Sequence, residues 1–283
     1  MNEKTAVIVD SCGDVPAYLA KELNIHVVPV HIIYPEADYP DGYNISPMIY
    51  ERFPKEIPTT ATPSPADIVD LYEQLKEEGY DHVIAVCISD RLSSTINTFR
   101  MAADEFPEIT SYVFNTKNIS VGSGIFAIWA AKMLKKGYSF DEITRRMERK
   151  RYDSHLMFYM DTLEFLHAGG RIGKVGFIAA NALHLKPVIS CDKDGVYYTA
   201  AKLRGNKKSK EKLYELVSGE MEDPTVPCWV IIGHGNAPRE AERMKAYVQE
   251  QLPQARILFT EQITASMAVH TGPGLVGLLI FKL

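Results

Sequence analysis

Cysteine is scarce in this chain of 283 residues: Cys12, Cys87, Cys191 and Cys228 stand far apart, without the paired spacing of a zinc site. That scarcity excludes a disulfide framework and predicts no bound metal. It suits reduced thiols in a cytoplasm. An excess of positive charge is also missing, since 31 basic residues face 36 acidic ones for a net charge of −5, which argues against nonspecific nucleic-acid or anionic-membrane binding. No apolar run reaches membrane-spanning length, and Met1-Asn2-Glu3-Lys4-Thr5 leads directly into an apolar strand pattern, so neither stable membrane insertion nor a secretory signal is expected. There is no Gly-x-Ser-x-Gly elbow, and Gly233-His234-Gly235-Asn236-Ala237-Pro238 has too few glycines and no Lys-Ser/Thr ending for a nucleotide loop. It reads as a structural strand-to-helix turn. Repeats, low-complexity tracts and long linkers are absent.

What is present is the composition of a soluble globular protein, 46% hydrophobic and 24% charged, long enough for one large domain or two ordinary ones. Apolar runs over 6–9, 25–34, 82–88 and 111–114 alternate with helical patterns over 15–23, 66–78, 94–105 and 120–136. That order predicts βαβ crossovers and a parallel sheet. After a charged helix over 140–152 the pattern changes. Strands are expected at 155–159, 185–191, 196–200, 226–233, 256–259 and 278–282, with Asp192-Lys193-Asp194-Gly195 as a hairpin turn. The fold class predicted is therefore α/β in two domains. Residues 1–153 form an α/β/α unit with a parallel sheet, and 154–283 form an α+β unit with a mainly antiparallel sheet.

Three segments combine hydroxyls with backbone-shaping residues: Thr59-Thr60-Ala61-Thr62-Pro63-Ser64, Ser89-Asp90-Arg91-Leu92-Ser93-Ser94-Thr95, and His270-Thr271-Gly272-Pro273-Gly274. In the second, an apolar strand gives way to a helix capped by Ser93 or Ser94; one serine satisfies the cap, and three consecutive hydroxyl residues leave donors for an anion. The prolines hold the first segment extended and present Thr60 or Thr62 over the sheet edge, or else simply make a loop. His270 is either structural or a donor beside an anion, in which case its pKa would rise. Cys12 reads as an ordinary thiol, with a reactive one as the alternative. The glycine-flanked Arg171 and Arg204 read as solvated surface or as a docking surface for an acidic partner.

In this order the segments resemble the DegV family of bacterial fatty-acid-binding proteins, over essentially the whole chain. The resemblance also rests on Val9-Asp10-Ser11, Asp161-Thr162-Leu163-Glu164-Phe165-Leu166 leading to Gly169-Gly170-Arg171-Ile172, Leu185-Lys186-Pro187, Lys202-Leu203-Arg204-Gly205 and Gly233-His234-Gly235. It implies a protein without catalysis of its own and with no cofactor, holding a long-chain fatty acid in a buried tunnel at the domain junction. It implies carboxylate contacts at Thr60, Ser93 and His270, with Thr62, Ser94 and Thr95 beside them. The implied partner is the ATP-binding subunit of a fatty acid kinase, with Arg171 and Arg204 in the segments associated with it. Two departures are visible: Ala61-Thr62 where the family has Ser-Gln, and Ser94 where it has glycine. Ser94 is expected to change the backbone angles, crowd the headgroup or add a hydroxyl contact. Candidate tunnel walls are Ile125, Phe126, Ile128 and Trp129, and Phe177, Ile178, Ala179, Ala180 and Leu183, with ordinary core as the alternative reading of both stretches. Two other readings of the hydroxyl cluster are a serine hydrolase using Ser93 and His270, and a phosphate or sugar-phosphate binder.

Overall fold

The structure, a computed structural model, describes residues 3–53, 55–176, 186–203, 205–220, 223 and 225–283. Four parallel strands, β1 (Thr5–Asp10), β2 (Ile25–Val28), β6 (His82–Cys87) and β7 (Thr110–Asn115), form the N-terminal sheet in the order β2-β1-β6-β7. Helices cover both faces, so these strands read as continuous apolar runs. Ala6 and Ile8 pack with α3 (Pro65–Glu77) and α4 (Thr95–Glu105), while Val7 and Val9 pack with α1 (Ala17–Leu23) and α5 (Val121–Lys135). The chain leaves β1 toward one side of the sheet and β6 toward the other. Their carboxyl ends therefore flank a topological switch point, where open α/β sheets bind ligands.

A second sheet of six strands follows helix α6 (Phe140–Lys150). It consists of β8 (Ser154–Tyr159), β9 (Val188–Cys191), β10 (Tyr197–Ala201), β11 (Cys228–His234), β12 (Ala255–Gln262) and β13 (Val276–Lys282), ordered β10-β9-β8-β13-β11-β12. All its pairings are antiparallel except β11 with β12, which are joined through α9 (Pro238–Gln251). Helix α8 (Asn206–Gly219) shares an apolar cluster with α9 on the outer face. The expected α/β class, parallel in the N-terminal part and mainly antiparallel in the C-terminal part, is the one observed.

A third, three-stranded antiparallel sheet, β4-β3-β5, comes from β3 (His31–Ile33), β4 (Asp38–Pro40) and β5 (Thr59–Ala61). The apolar run expected over 25–34 is thus divided between two sheets. The break falls at Pro29, which has no N–H to donate to a ladder. With α2 (Ser46–Arg52) this small sheet packs Ile32, Tyr34 and Ile49 against Ala265, Ala268 and Val269 of α10 (Ala265–Thr271).

Helix α5 lies between the two large sheets and touches β1, β6, β8 and β13, which accounts for its nearly all-apolar sequence. Ile125, Phe126, Ile128 and Trp129 are buried interlayer core. The Phe126 ring packs edge-on against Phe114 from one sheet and Phe281 from the other, so these four residues are not the tunnel walls expected of them. The second expected wall, Phe177, Ile178, Ala179, Ala180 and Leu183, lies outside the described residues.

Candidate functional site

The loops after β1 and β6, strand β5 and helix α10 enclose a cavity of about 320 Å³, within the range of small-molecule sites. Its polar wall holds Thr60, Thr62, Ser93, Ser94, Ser266, Thr271, His270 and Arg171; Val30, Ile88, Leu92, Ile119 and Met267 complete it. A smaller, mainly apolar recess of about 30 Å³ adjoins it and shares Ile119, Tyr197, Met267 and Thr271 with it. The recess reaches Val121, Leu156, Phe158, Ile263 and Leu275 beneath the second sheet.

The three hydroxyl-bearing segments converge. Thr60 Oγ1 lies 3.1 Å from His270 Nε2, across 210 positions of sequence. Ser93 Oγ lies 2.9 Å from Thr95 Oγ1 and accepts the Thr95 N–H at 3.3 Å. Thr95 is fully buried behind Ser93 and is not among the residues that line the cavity. Ser94 is the N-cap of α4, but its hydroxyl makes no capping bond, which leaves it available on the wall. Its φ of −83° is ordinary for any residue, so serine here imposes no backbone penalty. Its side chain adds a hydroxyl to the cavity wall.

Burial, reinforced by the nearby Arg171 charge, pushes the His270 pKa down to about 4, as the structural reading of this histidine allows. The imidazole is neutral at physiological pH, and its buried Nδ1 has no hydrogen-bond partner. That nitrogen faces Gly169, where a Cβ would come within 2.1 Å of it. The Gly169-Gly170-Arg171 run therefore has a physical reading. Gly169 makes room for the imidazole, Gly170 supplies the left-handed turn at φ 68°, and Arg171 enters the cavity wall. The Arg171 guanidinium donates to Gly169 O at 2.8 Å and to Leu92 O at 3.4 Å. It is half-buried and stands beside the hydroxyls as a permanent positive charge of the cavity wall. Arg204 lies outside the described residues.

The sequence did not reveal the cavity floor, which is made by Cys12 and Ser266 and backed by three carboxylates. Asp41 accepts from Ser11 Oγ at 2.7 Å, from Ser266 Oγ at 2.6 Å and from the Ser266 N–H at 2.8 Å. Asp14 accepts from the Thr264 N–H at 2.7 Å and from the Ser120 hydroxyl. Asp10 accepts the Ile88 N–H at 3.2 Å, and its Oδ1 has no hydrogen-bond partner. Burial pushes both Asp10 and Asp14 up to about 7. Burial and the neighbouring Asp10 and Asp41 charges hold the Cys12 thiol well above its usual range, so it is protonated and a poor nucleophile. The four cysteines are free thiols. Among the described residues no cluster of three or more metal-ligating side chains occurs, and no helix is long and apolar enough to cross a membrane.

Among the described residues Ser93 is bonded to Thr95, His270 to Thr60, and no carboxylate meets His270 Nδ1, the contact that orients the base in a serine hydrolase. As a binding site it offers neutral donors and one guanidinium at one end and hydrocarbon at the other. The tip of the β9–β10 hairpin closes the junction beside it, where Ser89 Oγ donates to Gly195 O at 2.8 Å.

Comparison with known proteins matches residues 4–283 to the family described as uncharacterised proteins of the DegV family. A DegV domain-containing protein of Clostridium acetobutylicum is 37% identical over 281 residues, 99% of each chain. A solved structure from Thermus thermophilus, described as showing fatty acid binding of a DegV family protein, superposes with a TM-score of 0.92 at 30% identity, covering 99% of this chain and 100% of that one. The structure of DegV from Bacillus subtilis, described as a fatty acid binding protein, superposes at 0.90 with 25% identity and full coverage of both chains.

Proposed function

The chain belongs to the DegV family, and from that premise we propose that it binds a long-chain fatty acid, with the carboxylate at Thr60, Ser93 and His270 and the tail directed into the apolar recess. The observation that carries the reading is the change of lining along the cavity, from hydroxyls and a guanidinium to hydrocarbon. A phosphate or sugar phosphate would use the first part and leave the second without purpose. Burying methylenes contributes about 0.8 kcal/mol each, on the order of 10 kcal/mol gross for a long chain, so the tail supplies affinity and the headgroup contacts supply orientation.

Thr62 and Ser94 complete the headgroup wall, and Thr95 holds Ser93 in place. Arg171 neutralises the carboxylate in a water-poor setting where His270 cannot, being uncharged. We place the ligand at the junction of two units, 1–153 and 154–283. The protein would act without catalysis of its own. It would present the carboxylate to the ATP-binding subunit of a fatty acid kinase, with Arg204 docking that partner and Arg171 standing between headgroup and partner. Free thiols fit a cytoplasmic setting.

Organic extraction of the purified protein, followed by mass spectrometry, tests the binding. Stoichiometric long-chain acid is expected. Protein that carries no acyl ligand and takes up none when offered would defeat the reading, and a recovered sugar phosphate would replace it.

A further inference from the structure

The apolar recess owes its existence to two glycines that nothing in the backbone requires. Gly277 of β13 sits opposite Gly233 of β11 on one side and opposite Phe158 of β8 on the other, so Phe158, Gly277 and Gly233 form one row across the second sheet. The next row on the same face is Leu156, Leu279 and Ile231, and the one after it is Ser154, Phe281 and Trp229. Leu279, Phe281, Ile231 and Trp229 share the apolar cluster that includes α5, so this face points toward the N-terminal layer. Two rows are filled largely by bulky side chains. The row of Gly277 and Gly233 is not, and both glycines line the recess.

Neither glycine has a positive φ. A Cβ on Gly277 would lie 3.4 Å from Phe158 Cβ, and one on Gly233 would lie 3.4 Å from Ile263 Cγ2, both ordinary contacts. Gly124 differs, since its Cβ would fall 2.0 Å from Gly13 O. A glycine inside a strand weakens it. Here two are paired where a side chain would be sterically admissible.

We propose that Gly277, with Gly233, is the specificity-determining element for the far end of the acyl chain: by omitting two side chains it sets how long a tail the cavity accepts. This rests on the fatty-acid reading of the cavity. Substituting Gly277 fills the recess from the sheet side without touching Thr60, Ser93, His270 or Arg171.

The test is Gly277→Val, with Gly277→Ala and Gly233→Ala as smaller steps should valine impair folding. Each is titrated with straight saturated fatty acids graded from medium to long chain, and its extracted ligand is compared with that of the unaltered protein. Because valine adds three carbons to a close-packed space, the longest acid accepted should shorten by about two methylenes. Affinity for the longest acid should fall about tenfold or more while a medium-chain acid is bound within about twofold, with alanine giving smaller shifts in the same direction. An unaltered protein that carries fatty acid while all three variants show the same length profile and affinities overturns the inference and leaves the binding function standing. An unaltered protein that binds no fatty acid overturns both. A uniform loss for medium and long chains alike overturns the length role specifically.

Discussion

The carboxylates behind the cavity floor should make stability fall as pH rises, and Asp10→Asn isolates the effect. The Asp10 carboxyl is buried, and burial outweighs the bonds from the Ile88 N–H and from the Cys12 N–H and thiol, so its pKa stands near 7 in the folded protein against 3.8 unfolded. Between those values the folded state keeps a proton that the unfolded state releases. Stability is therefore greatest below about pH 4 as far as this group is concerned, declines through the window, and is lowest above 7. At about 1.4 kcal/mol per pH unit the full swing is about 4 kcal/mol for Asp10 alone, as an upper bound. Asp14 adds a decline in the same window, and the nearby Asp41 charge reinforces both. Asparagine keeps an oxygen for the Ile88 N–H and stays neutral at every pH. Urea unfolding at pH 5 and pH 8 should show the stability advantage of Asp10→Asn over the unaltered protein growing by up to about 3 kcal/mol between the two pH values. The same dependence on pH in both proteins would refute the reasoning, because it would mean that Asp10 is already ionised in the fold. The consequence for the proposed function is direct: as pH rises through about 7, Asp10 and Asp14 ionise and should repel a carboxylate bound above Cys12 and Ser266.

Loss of one headgroup hydrogen bond by Ser93→Ala or Thr60→Val should weaken fatty acid retention by about 1–3 kcal/mol, read by competition with a fluorescent acid; unchanged affinity in both would remove these residues from the site. Arg171→Met should weaken retention at least as much, because it leaves the carboxylate without its countercharge, and a variant that retains ligand but fails only in acyl-phosphate formation with the kinase would return Arg171 to a docking role. His270 titrates near 4, so affinity should be flat from pH 5.5 to 7 as far as the histidine is concerned, and a step centred near 6.5 that disappears in His270→Gln would show a charged imidazole instead. Gly272→Ala should destabilise the fold by more than 1 kcal/mol, since φ is 68° and the new Cβ would fall 2.3 Å from the Phe165 ring, which stacks on Phe53; thermal unfolding reads it, and a neutral substitution would contradict the geometry.

The parts of this protein that could be read from sequence are those governed by local chemistry. Apolar runs separated by helical patterns gave the parallel layer, because a strand buried on both faces needs no alternation. Asp192 to Gly195 marked the β9–β10 hairpin through its need for positive φ, and Gly195 sits at φ 80°. The headgroup residues were found as segments, through surplus hydroxyls at a strand-to-helix turn. Their meeting is not local, since Thr60 reaches His270 only because a three-stranded sheet from a proline-interrupted stretch folds over α10. The same limit hid the acids of the floor. Asp14 and Asp41 look like ordinary loop carboxylates until Thr264 and Ser266 arrive from the other end of the chain to bond them, and Asp10 at the end of β1 is bonded by Ile88 of a neighbouring crossover. It also explains the misplaced tunnel wall: an all-apolar helix is equally suited to lining a cavity or filling the space between two sheets, and only the position of the second sheet decides. That sheet makes the recess by register. A one-residue shift of β13 against β11 would turn Gly277 to the outer face and place a bulky side chain, Val276 or Leu278, in the recess. The shape of the recess is thus held by strand pairing, and a substitution that slips that pairing should abolish ligand retention even with Thr60, Ser93 and His270 intact.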